Sequence, residues 1–500
     1  MIAPPTRSRA GGVLAVIAGA ALLVWPAFLN GYPIVFSDTG AFLAQTLVPL
    51  MIWDKPYVYG PFLHLFHQRL SLWGPLVAQG LVLSHLLWVT QRALRGTASP
   101  AGHLAVTAGL AALTSAPWTA AFLMPDLFAP VTVLGLFLLG LARDRLGRGE
   151  AWYLGALATL AIASHLAHLV VAAGVIAAVS VLSRRARPAL RAVAPLGAAL
   201  ALLLASNAIG HGRLAVSPYG ATFLLARLQD DGPATRTLRA LCPGAGWRLC
   251  GFLDRLPMDS DEFLWSPESP LYREPDGTPL PGGMPGGARM APEAQAILAA
   301  TLRREPLGVA AAMLRNTLRQ LLAARVGDTL HDRFLALIPG REIAAHFPAR
   351  ELAAYRAGAQ KRGVLEARAA PLLAPHLPVL VLAALLLPLA LWRAARAGEG
   401  LRLGLLACVL AGLLANAFAT GALSGPHDRY QARIVWLLPL AVGLTLWPAA
   451  GEGGGRVRAA AAQEGRAGCP AGTAGGNMRL RKGAAEREEE GSLLLVSSIH

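Results

Sequence analysis

Ionisable residues recur in the short polar segments that follow long apolar stretches of this 500-residue chain. Asp38, Asp54 and Lys55 lie in the first such segment, directly after the apolar stretch 12–29, and Asp126 lies in a later one. A carboxylate can act as a general base, and a lysine can neutralise an anionic group of a substrate. Because ionisable groups are costly beside hydrocarbon, this pattern indicates a site with a chemical role.

The last polar segment, SGPHDRYQAR at 424–433, carries the densest set of candidate groups. Arg429 and Arg433 can each present forked donors to phosphate oxygens, a task for which lysine is a poorer substitute. His427 and Tyr430 would add further donors to the same binding site. The alternative interpretation is that these arginines form the positive flank of a membrane span.

Histidine and aromatic side chains extend the set of candidates. Tyr59 follows Asp54 and Lys55 closely enough to join a substrate-binding segment. His165 and His168 share a helix face, a spacing found in metal sites, but two imidazoles alone do not define one. Hydrogen-bonded polar caps are the alternative for this pair. A divalent metal ion therefore stays open as a cofactor, and the sequence establishes none.

Capping offers a structural alternative for two of the carboxylates. Ser37 or Asp38 could accept hydrogen bonds from the first turn of a short helix over 39–47. Asp126 follows Pro125 and could cap the next long helix in the same way. Both the catalytic and the capping interpretation are open on the sequence alone.

Composition indicates a membrane protein. Hydrophobic residues make up 54% of the chain and charged residues 15%, whereas charged residues reach about 25% in a typical soluble protein. Repeated apolar stretches separated by short basic segments predict an all-α polytopic membrane protein with about ten transmembrane helices. The predicted spans are 12–30, 71–91, 103–123, 127–142, 150–164, 166–183, 193–210, 376–392, 401–420 and 433–448. The first lacks a small-x-small cleavage site, so we interpret it as a retained anchor rather than a signal peptide.

Arginine is concentrated in every second connection between these spans. The arginines concerned are Arg92, Arg95, Arg143, Arg145, Arg148, Arg184, Arg185, Arg187, Arg191, Arg393, Arg396 and Arg402. Because cytoplasmic connections carry an excess of Lys and Arg, both termini are predicted to be cytoplasmic and the candidate residues to lie outside. Arg429 and Arg433 then lie where positive residues are scarce, which favours a binding role. The chain is accordingly predicted to be a multi-pass protein of the bacterial inner membrane.

The net charge of +16 would suggest a nucleic-acid partner for a soluble chain. Much of the excess lies in the short connections and the C-terminal tail, where it sets orientation. No nucleic-acid-binding module accompanies it. Nucleic acid is therefore not expected as a partner, and membrane lipids are.

The apolar stretch 150–183 is too long for a single crossing. One helix of that length would extend about 50 Å, against a hydrocarbon core of about 30 Å. Both flanks are basic, so an even number of crossings is predicted, with a turn near 164–168. Whether both crossings are complete is left open.

Residues 211–375 interrupt the membrane pattern with many turn-forming Pro and Gly residues, followed by a helical pattern over 291–326. They are predicted to form a mostly helical extracytoplasmic domain inserted before the eighth span, between the membrane helices of 1–210 and 376–448. The residues near its start that could line the mouth of a site are Ser217, Tyr219 and Arg227.

Cys242 and Cys250 lie close together in this inserted segment, without the second cysteine pair of a zinc motif. An oxidising compartment outside the membrane favours a disulfide between them over two free thiols. The tail 449–500 is rich in Gly, Ala, Arg and Glu, and is predicted to be disordered in the cytoplasm.

The layout of spans and polar segments resembles the GT-C superfamily of membrane glycosyltransferases, which take a sugar from a polyprenyl-phosphate donor on the outer face. Members share an acidic residue in the first outer loop and a second one in a later outer loop, and many have an Arg-Tyr pair near the donor phosphate. The matching positions here are Asp38, Asp126 and Arg429–Tyr430. The second acidic position is a lone Asp126, and the largest outer segment precedes the eighth span rather than following the last one.

This resemblance implies transfer of a sugar to a lipid, glycan or protein acceptor, with Asp38 and Asp126 as catalytic residues. Asp38 would take the proton of the acceptor hydroxyl, and Arg429 with Arg433 would hold the donor phosphate.

Two other classes of function remain as alternatives. A transporter or lipid flippase is expected to place polar groups or broken helices near the membrane midplane and often to show repeated halves. We find no two matching halves, although Asn207 and Asn416 are amides within predicted spans. A non-catalytic membrane scaffold would instead present 211–375 to a partner, and would tolerate replacement of Asp38 and Arg429.

Overall fold

The structure is a computed structural model that describes residues 7–447, apart from residues 98, 283, 334, 336 and 337. In these described residues the secondary structure is helical, with isolated bridges such as Ile34 to Phe122 but no β-strand. The predicted all-α class is confirmed. The predicted disorder of the tail 449–500 falls outside the described residues.

The described residues before the inserted segment form eleven α-helices and two short 3-10 helices, Pro125–Leu127 and Arg143–Arg145. The α-helices are α1 Arg7–Leu23, α2 Trp25–Asn30, α3 Ser37–Leu47, α4 Tyr59–His67, α5 Trp73–Arg95, α6 Pro100–Leu113, α7 Ala116–Ala120, α8 Phe128–Leu141, α9 Arg148–Ala163, α10 Ala167–Ser183 and α11 Ala186–His211. The predicted turn within 150–183 is confirmed, because α9 ends at Ala163 and α10 begins at Ala167.

The inserted segment and the C-terminal part are also helical. The inserted helices are α12 Gly220–Asp230, α13 Pro233–Leu241, α14 Ser260–Trp265, α15 Gly286–Arg304, α16 Pro306–Leu322, α17 Pro339–His346, α18 Ala349–Ala357 and α19 Leu365–Leu373. The C-terminal helices are α20 His376–Arg396, α21 Gly400–Ala417, α22 Asp428–Val435 and α23 Leu437–Leu446. A π-helical turn, Phe418–Ala422, continues directly from α21.

Three helices of the described chain are long and apolar enough to cross a membrane. They are Ala186–His211, Leu365–Arg396 and Gly400–Ala422, and shorter apolar helices include Ala10–Leu23, Pro100–Leu113, Pro125–Leu141 and Ala167–Ser183. A membrane-associated helical protein is therefore supported by length and composition. The count of ten crossings stays a prediction.

Helix α8 lies at the centre of the bundle. It is apolar on every side, and all its residues except Leu141 are buried against α9, α10, α11, α21 and other neighbours. By contrast, α11 and α20 expose much of their apolar surface, including Ile209 and Leu385. Such exposed faces are expected where a helix contacts lipid.

The inserted segment 211–375 does not pack as one separate body. A second hydrophobic core involves α12, α13, α15 and Val309 of α16. Residues from 324 to 369, including Ile343 and Tyr355, belong to the main core instead. There the hydroxyl of Tyr32 donates to Glu351 Oε1 at 2.7 Å, and Gln360 Nε2 donates to the Val35 carbonyl at 2.7 Å. The last third of the segment therefore packs on the first polar segment of the chain, a contact between residues some 300 positions apart.

The arrangement of basic residues predicts the outcome of a topology experiment. Arg92 at the end of α5 and Glu150 at the start of α9 form an ion pair of 2.7 Å, so these two helix ends lie at the same end of the bundle. We expect reporter fusions after Gly96, Gly147, Arg187 and Gly398 to report cytoplasm, and fusions within 220–360 to report the outer side. Paired alkaline phosphatase and green fluorescent protein fusions measure this. A cytoplasmic signal from 220–360 would overturn the predicted orientation.

The disulfide between Cys242 and Cys250 is present, with the two Cα atoms 5.5 Å apart, which confirms the pairing. It links the end of α13 to the short helix Arg248–Phe252 beside the second core. Because the loop that it closes is short, its removal is expected to cost about 2 to 3 kcal/mol of unfolding free energy.

Denaturant unfolding of a Cys242→Ser, Cys250→Ser double variant measures this cost. Cys469→Ser, which removes a cysteine outside the described residues, is the control. Without reductant, the pair should resist thiol labelling while Cys469 reacts; immediate labelling of Cys242 and Cys250 would contradict the bridge.

Candidate functional site

A cavity of ≈ 300 Å³ lies where the first and last polar segments meet the inserted helices. Eight residues predicted from the sequence line it: Asp38, Asp54, Lys55, His165, Ser217, Tyr219, Arg429 and Tyr430. Most of the other lining residues are aromatic or apolar, with Trp53, Phe223 and Trp265 on the side of the inserted segment and Leu166, Val170 and Leu423 on the side of the bundle. Groups from opposite ends of the sequence thus share one partly open cavity.

Asp38 lies in the first turn of α3, and the hydrogen bonds of this turn fix its position. The backbone N–H of Phe36 donates to the Thr39 hydroxyl at 2.9 Å, and this hydroxyl donates to the Leu123 carbonyl at 3.0 Å. Ile34 exchanges backbone hydrogen bonds with Ala121 and Leu123, which docks the segment beside residues 121–123. Helix α3 begins at Ser37 and its N-cap residue is Phe36, so neither Ser37 nor Asp38 is the N-cap. The capping interpretation of Asp38 is therefore not what the structure shows.

Lys55 lies between two carboxylates. Its Nζ is 3.3 Å from Asp38 Oδ1 and is ion-paired with Asp54 Oδ2. Burial on its own lowers the pKa of Lys55, but the charges of Asp38 and Asp54 outweigh it, and the net pKa shift is upward. The side chain of Asp38 is 33% exposed and that of Asp54 is 5% exposed. Of the two carboxylates that hold the ammonium, Asp38 is the accessible one.

Arg429 is held on several sides at the cavity wall. Its backbone N–H donates to Asp328 Oδ2 at 2.9 Å, and its Nε lies 3.5 Å from Asp126 Oδ1. Its guanidinium carbon lies 4.8 Å from the ring centroids of both Phe36 and Tyr430. An arginine in contact with two aromatic rings and paired with a carboxylate is oriented before any ligand binds.

Asp126 and Arg433 lie outside the large cavity. Arg433 is 1% exposed, and its Nε and Nη2 donate to Asn416 Oδ1 at 3.2 and 2.8 Å. Its Nη1 is 3.7 Å from Asp126 Oδ1. Asp126 is also 1% exposed, and neither carboxylate oxygen accepts a hydrogen bond from the described residues. Among the described residues, Arg429 and Arg433 are the cations at ion-pair distance from Asp126. Asp126 does not cap α8, whose N-cap residue is Leu127.

Three further predicted residues do not line the cavity. Tyr59 is fully buried in the main core, where its hydroxyl donates to Gln79 Oε1 at 2.5 Å. His168 is fully buried, and its Nδ1 donates to the Ala161 carbonyl at 2.7 Å. His427 lies beside the cavity, with Nε2 3.4 Å from Asp261 Oδ2. These side chains face partners within the protein, so direct substrate contact is not supported for them.

His165 is the histidine that reaches the cavity. Its Nδ1 accepts the backbone N–H of Ala167 at 3.2 Å, so the proton of the neutral ring is assigned to Nε2. Nε2 can then donate to a ligand. Within the described residues, no group of three or more His, Cys, Asp or Glu side chains is arranged to hold a metal ion.

The aromatic wall is the feature that the sequence did not reveal. Trp53 stacks on Phe223 with ring centroids 5.3 Å apart, and Lys55 Nζ lies 5.7 Å from the ring of Trp265. Trp265 remains 47% exposed. Phe223 and Trp265 belong to no motif, and only packing of the inserted helices brings them here. Of the residues predicted at the mouth, Ser217 and Tyr219 line the cavity.

Arg227, the third residue predicted at the mouth, is buried instead. Its guanidinium donates to Asp230, Asp231 and Ser260 within the inserted helices.

The cavity combines one accessible carboxylate, two fixed cations and a histidine donor next to an apolar wall. This set can accept a proton and stabilise a developing negative charge in a space partly closed to water. Comparison of the chain with protein-family models, curated proteins and solved structures finds no match.

Proposed function

We propose that the protein is a membrane glycosyltransferase of GT-C type, which moves a sugar from a polyprenyl-phosphate donor to a lipid, glycan or protein acceptor. The observation that carries this proposal is the shared cavity, in which Asp38 of the first polar segment and Arg429 of the last line one space. About ten spans, with the cavity on the outer face of a bacterial inner membrane, complete the proposed topology.

The chemistry requires a base and a stabilised leaving group. The acceptor hydroxyl attacks the anomeric carbon of the sugar, and the carboxylate of Asp38 takes the hydroxyl proton. The bond from the anomeric carbon to the phosphate oxygen breaks, and its electrons leave with the polyprenyl phosphate. The guanidinium of Arg429 stabilises this oxygen with charge-assisted hydrogen bonds. Lys55 orients Asp38 and adds a second positive charge.

Asp126 is a positioning residue in this proposal. It is buried, and its carboxylate lies 3.5 Å from Arg429 Nε and 3.7 Å from Arg433 Nη1. Neither Asp126 nor Arg433 lines the cavity that would take the substrate. Their contribution is to keep the guanidinium of Arg429 in one orientation, which lowers the entropy lost when the phosphate binds.

The apolar side of the cavity suits a lipid-linked donor. Leu166, Ala167 and Val170 at the start of α10 and Ala419 and Leu423 near the π-helical turn form this side. The turn ends Gly400–Ala422, one of the three long apolar helices. A polyprenyl chain could therefore leave the cavity along the bundle, while the phosphate meets Arg429.

The test is transfer by the purified full-length chain in lipid vesicles that contain a radiolabelled polyprenyl-phosphate sugar. We expect label to pass to an added acceptor, or to water, with equimolar release of polyprenyl phosphate. Movement of the intact donor across the bilayer without cleavage would identify a flippase instead. Neither cleavage nor movement, with a panel of donors and acceptors, would favour a scaffold.

A further inference from the structure

Helix α16 has two opposite faces of different character. Val309, Ala312, Asn316 and Gln320 are buried on one face. The leucines exposed on the same helix are Leu307, Leu314, Leu318 and Leu322, of which the first and last are 83% exposed. At 3.6 residues per turn these leucines form one stripe directly opposite the buried face. We call them the leucine stripe.

Helix α16 contacts two of the helices that are long enough to cross a membrane: the first at its C-terminal end, and the second at the start of α20. Its buried face packs on the π-helical turn at the end of Gly400–Ala422, so tightly that a Cβ on Gly421 would come within 2.5 Å of the Asn316 carbonyl oxygen. Just beyond its C-terminus, the Ala324 carbonyl accepts a hydrogen bond of 2.9 Å from His376 Nε2. His376 is the first residue of α20, within the apolar helix Leu365–Arg396.

The surroundings of the leucine stripe are strongly basic. The exposed arginines on α16 and at its two ends are Arg303, Arg304, Arg315, Arg319 and Arg325. Arg315 is 3.5 Å from Asp231, and the nearby Glu305 is paired with Arg236, so few acidic groups offset them. An apolar stripe flanked by arginines complements a leaflet whose phosphates lie just above its acyl chains.

We propose that α16 is an interfacial helix whose leucine stripe enters an anionic phospholipid leaflet beside the end of Gly400–Ala422 and the start of α20. The occupant is the leaflet itself, because α16 lies beside the end of Gly400–Ala422 and the start of α20, where the chain would leave the hydrocarbon. The lipid phosphates pair with the flanking arginines, each worth a small increment of binding to an anionic surface. This inference is independent of the proposed sugar transfer.

The experiment uses the full chain in nanodiscs of equal parts phosphatidylcholine and phosphatidylglycerol. Cys469→Ser removes the tail cysteine, and a nitrobenzoxadiazole fluorophore is attached at Leu318→Cys. Asp276→Cys, an exposed position elsewhere in the inserted segment, is the matched control. We expect the label at 318 to be quenched by doxyl-labelled phospholipid and shielded from aqueous iodide, and the label at 276 to behave in the opposite way.

Quenching by iodide at 318 equal to that at 276 would overturn the proposal. Shielding from both quenchers would indicate contact with protein, such as a second copy, and would overturn it as well. Leu322→Cys provides a second label if the first variant fails to fold.

A second experiment tests the arginines. In the protein with both arginines, doxyl quenching at 318 should be stronger in the mixed nanodiscs than in nanodiscs of pure phosphatidylcholine. The double variant Arg304→Gln, Arg319→Gln should show no such increase. A gain that persists would remove the arginines from the proposal.

Discussion

Asp38→Asn is expected to leave donor binding intact while turnover falls by about 10² to 10⁴-fold. The amide keeps the shape of the carboxylate and can still contact Lys55, which lies 3.3 Å from Asp38 Oδ1. It cannot accept the proton of the acceptor hydroxyl at neutral pH. The measurement is transfer from a labelled polyprenyl-phosphate sugar in vesicles, with donor affinity and protein yield determined in parallel.

Asp54→Asn is the matched comparison for this variant. Asp54 pairs with the same ammonium group but has only 5% of its side chain exposed. We expect a smaller loss of turnover, caused by a weaker hold on Lys55. Equal losses in the two variants would show that the carboxylates act as one electrostatic unit and would end the assignment of Asp38 as the base. A turnover rate close to that of the wild type in a well-folded Asp38→Asn variant would also contradict the assignment of Asp38 as the base.

Arg429→Lys is expected to lower turnover by about 10² to 10³-fold, the usual cost of losing one donor to a developing oxyanion. Lysine keeps one positive charge but loses the planar fork and its contacts with Phe36 and Tyr430. Because the phosphate is present in both ground and transition states, donor affinity should fall as well. Separate measurement of donor KM and kcat checks both parts of this expectation.

Arg433→Lys is the comparison for Arg429. Arg433 donates twice to Asn416 Oδ1 and is 1% exposed. Its replacement should lower thermal stability, because a buried carbonyl oxygen loses donors. Donor KM should change less than in Arg429→Lys. Similar donor KM values in the two variants would argue that neither arginine contacts the phosphate directly.

Helix positions could be predicted because they depend on local patterns. Apolar stretches located the long helices, and the excess length of 150–183 located the break that the structure places at 164–166. The pairing of Cys242 with Cys250 was predicted from their short separation and from the oxidising compartment expected outside the membrane. Eight of the polar candidates line one cavity, and their role in it stays a prediction.

Which of those candidates line the cavity and which are buried could not be predicted. Arg429 and Arg433 are one helical turn apart, yet one lines the cavity and the other is bonded to Asn416 in the interior. Tyr59 and Lys55 are equally near in sequence, yet Tyr59 points into the core and bonds to Gln79. A motif specifies residue types, whereas burial depends on which helix packs against each face.

The sequence by itself determined the helical class, the apolar helices and the presence of ionisable groups beside them. Each of these depends on residues within a few turns of one another, where hydrophobic periodicity and chain geometry act. The tertiary structure alone decided that Asp38 and Arg429 share a cavity, that Asp126 supports Arg429 from behind the wall, and that Trp265 closes one side. These relations join residues hundreds of positions apart, and they arise from the packing of whole helices, which no local pattern encodes.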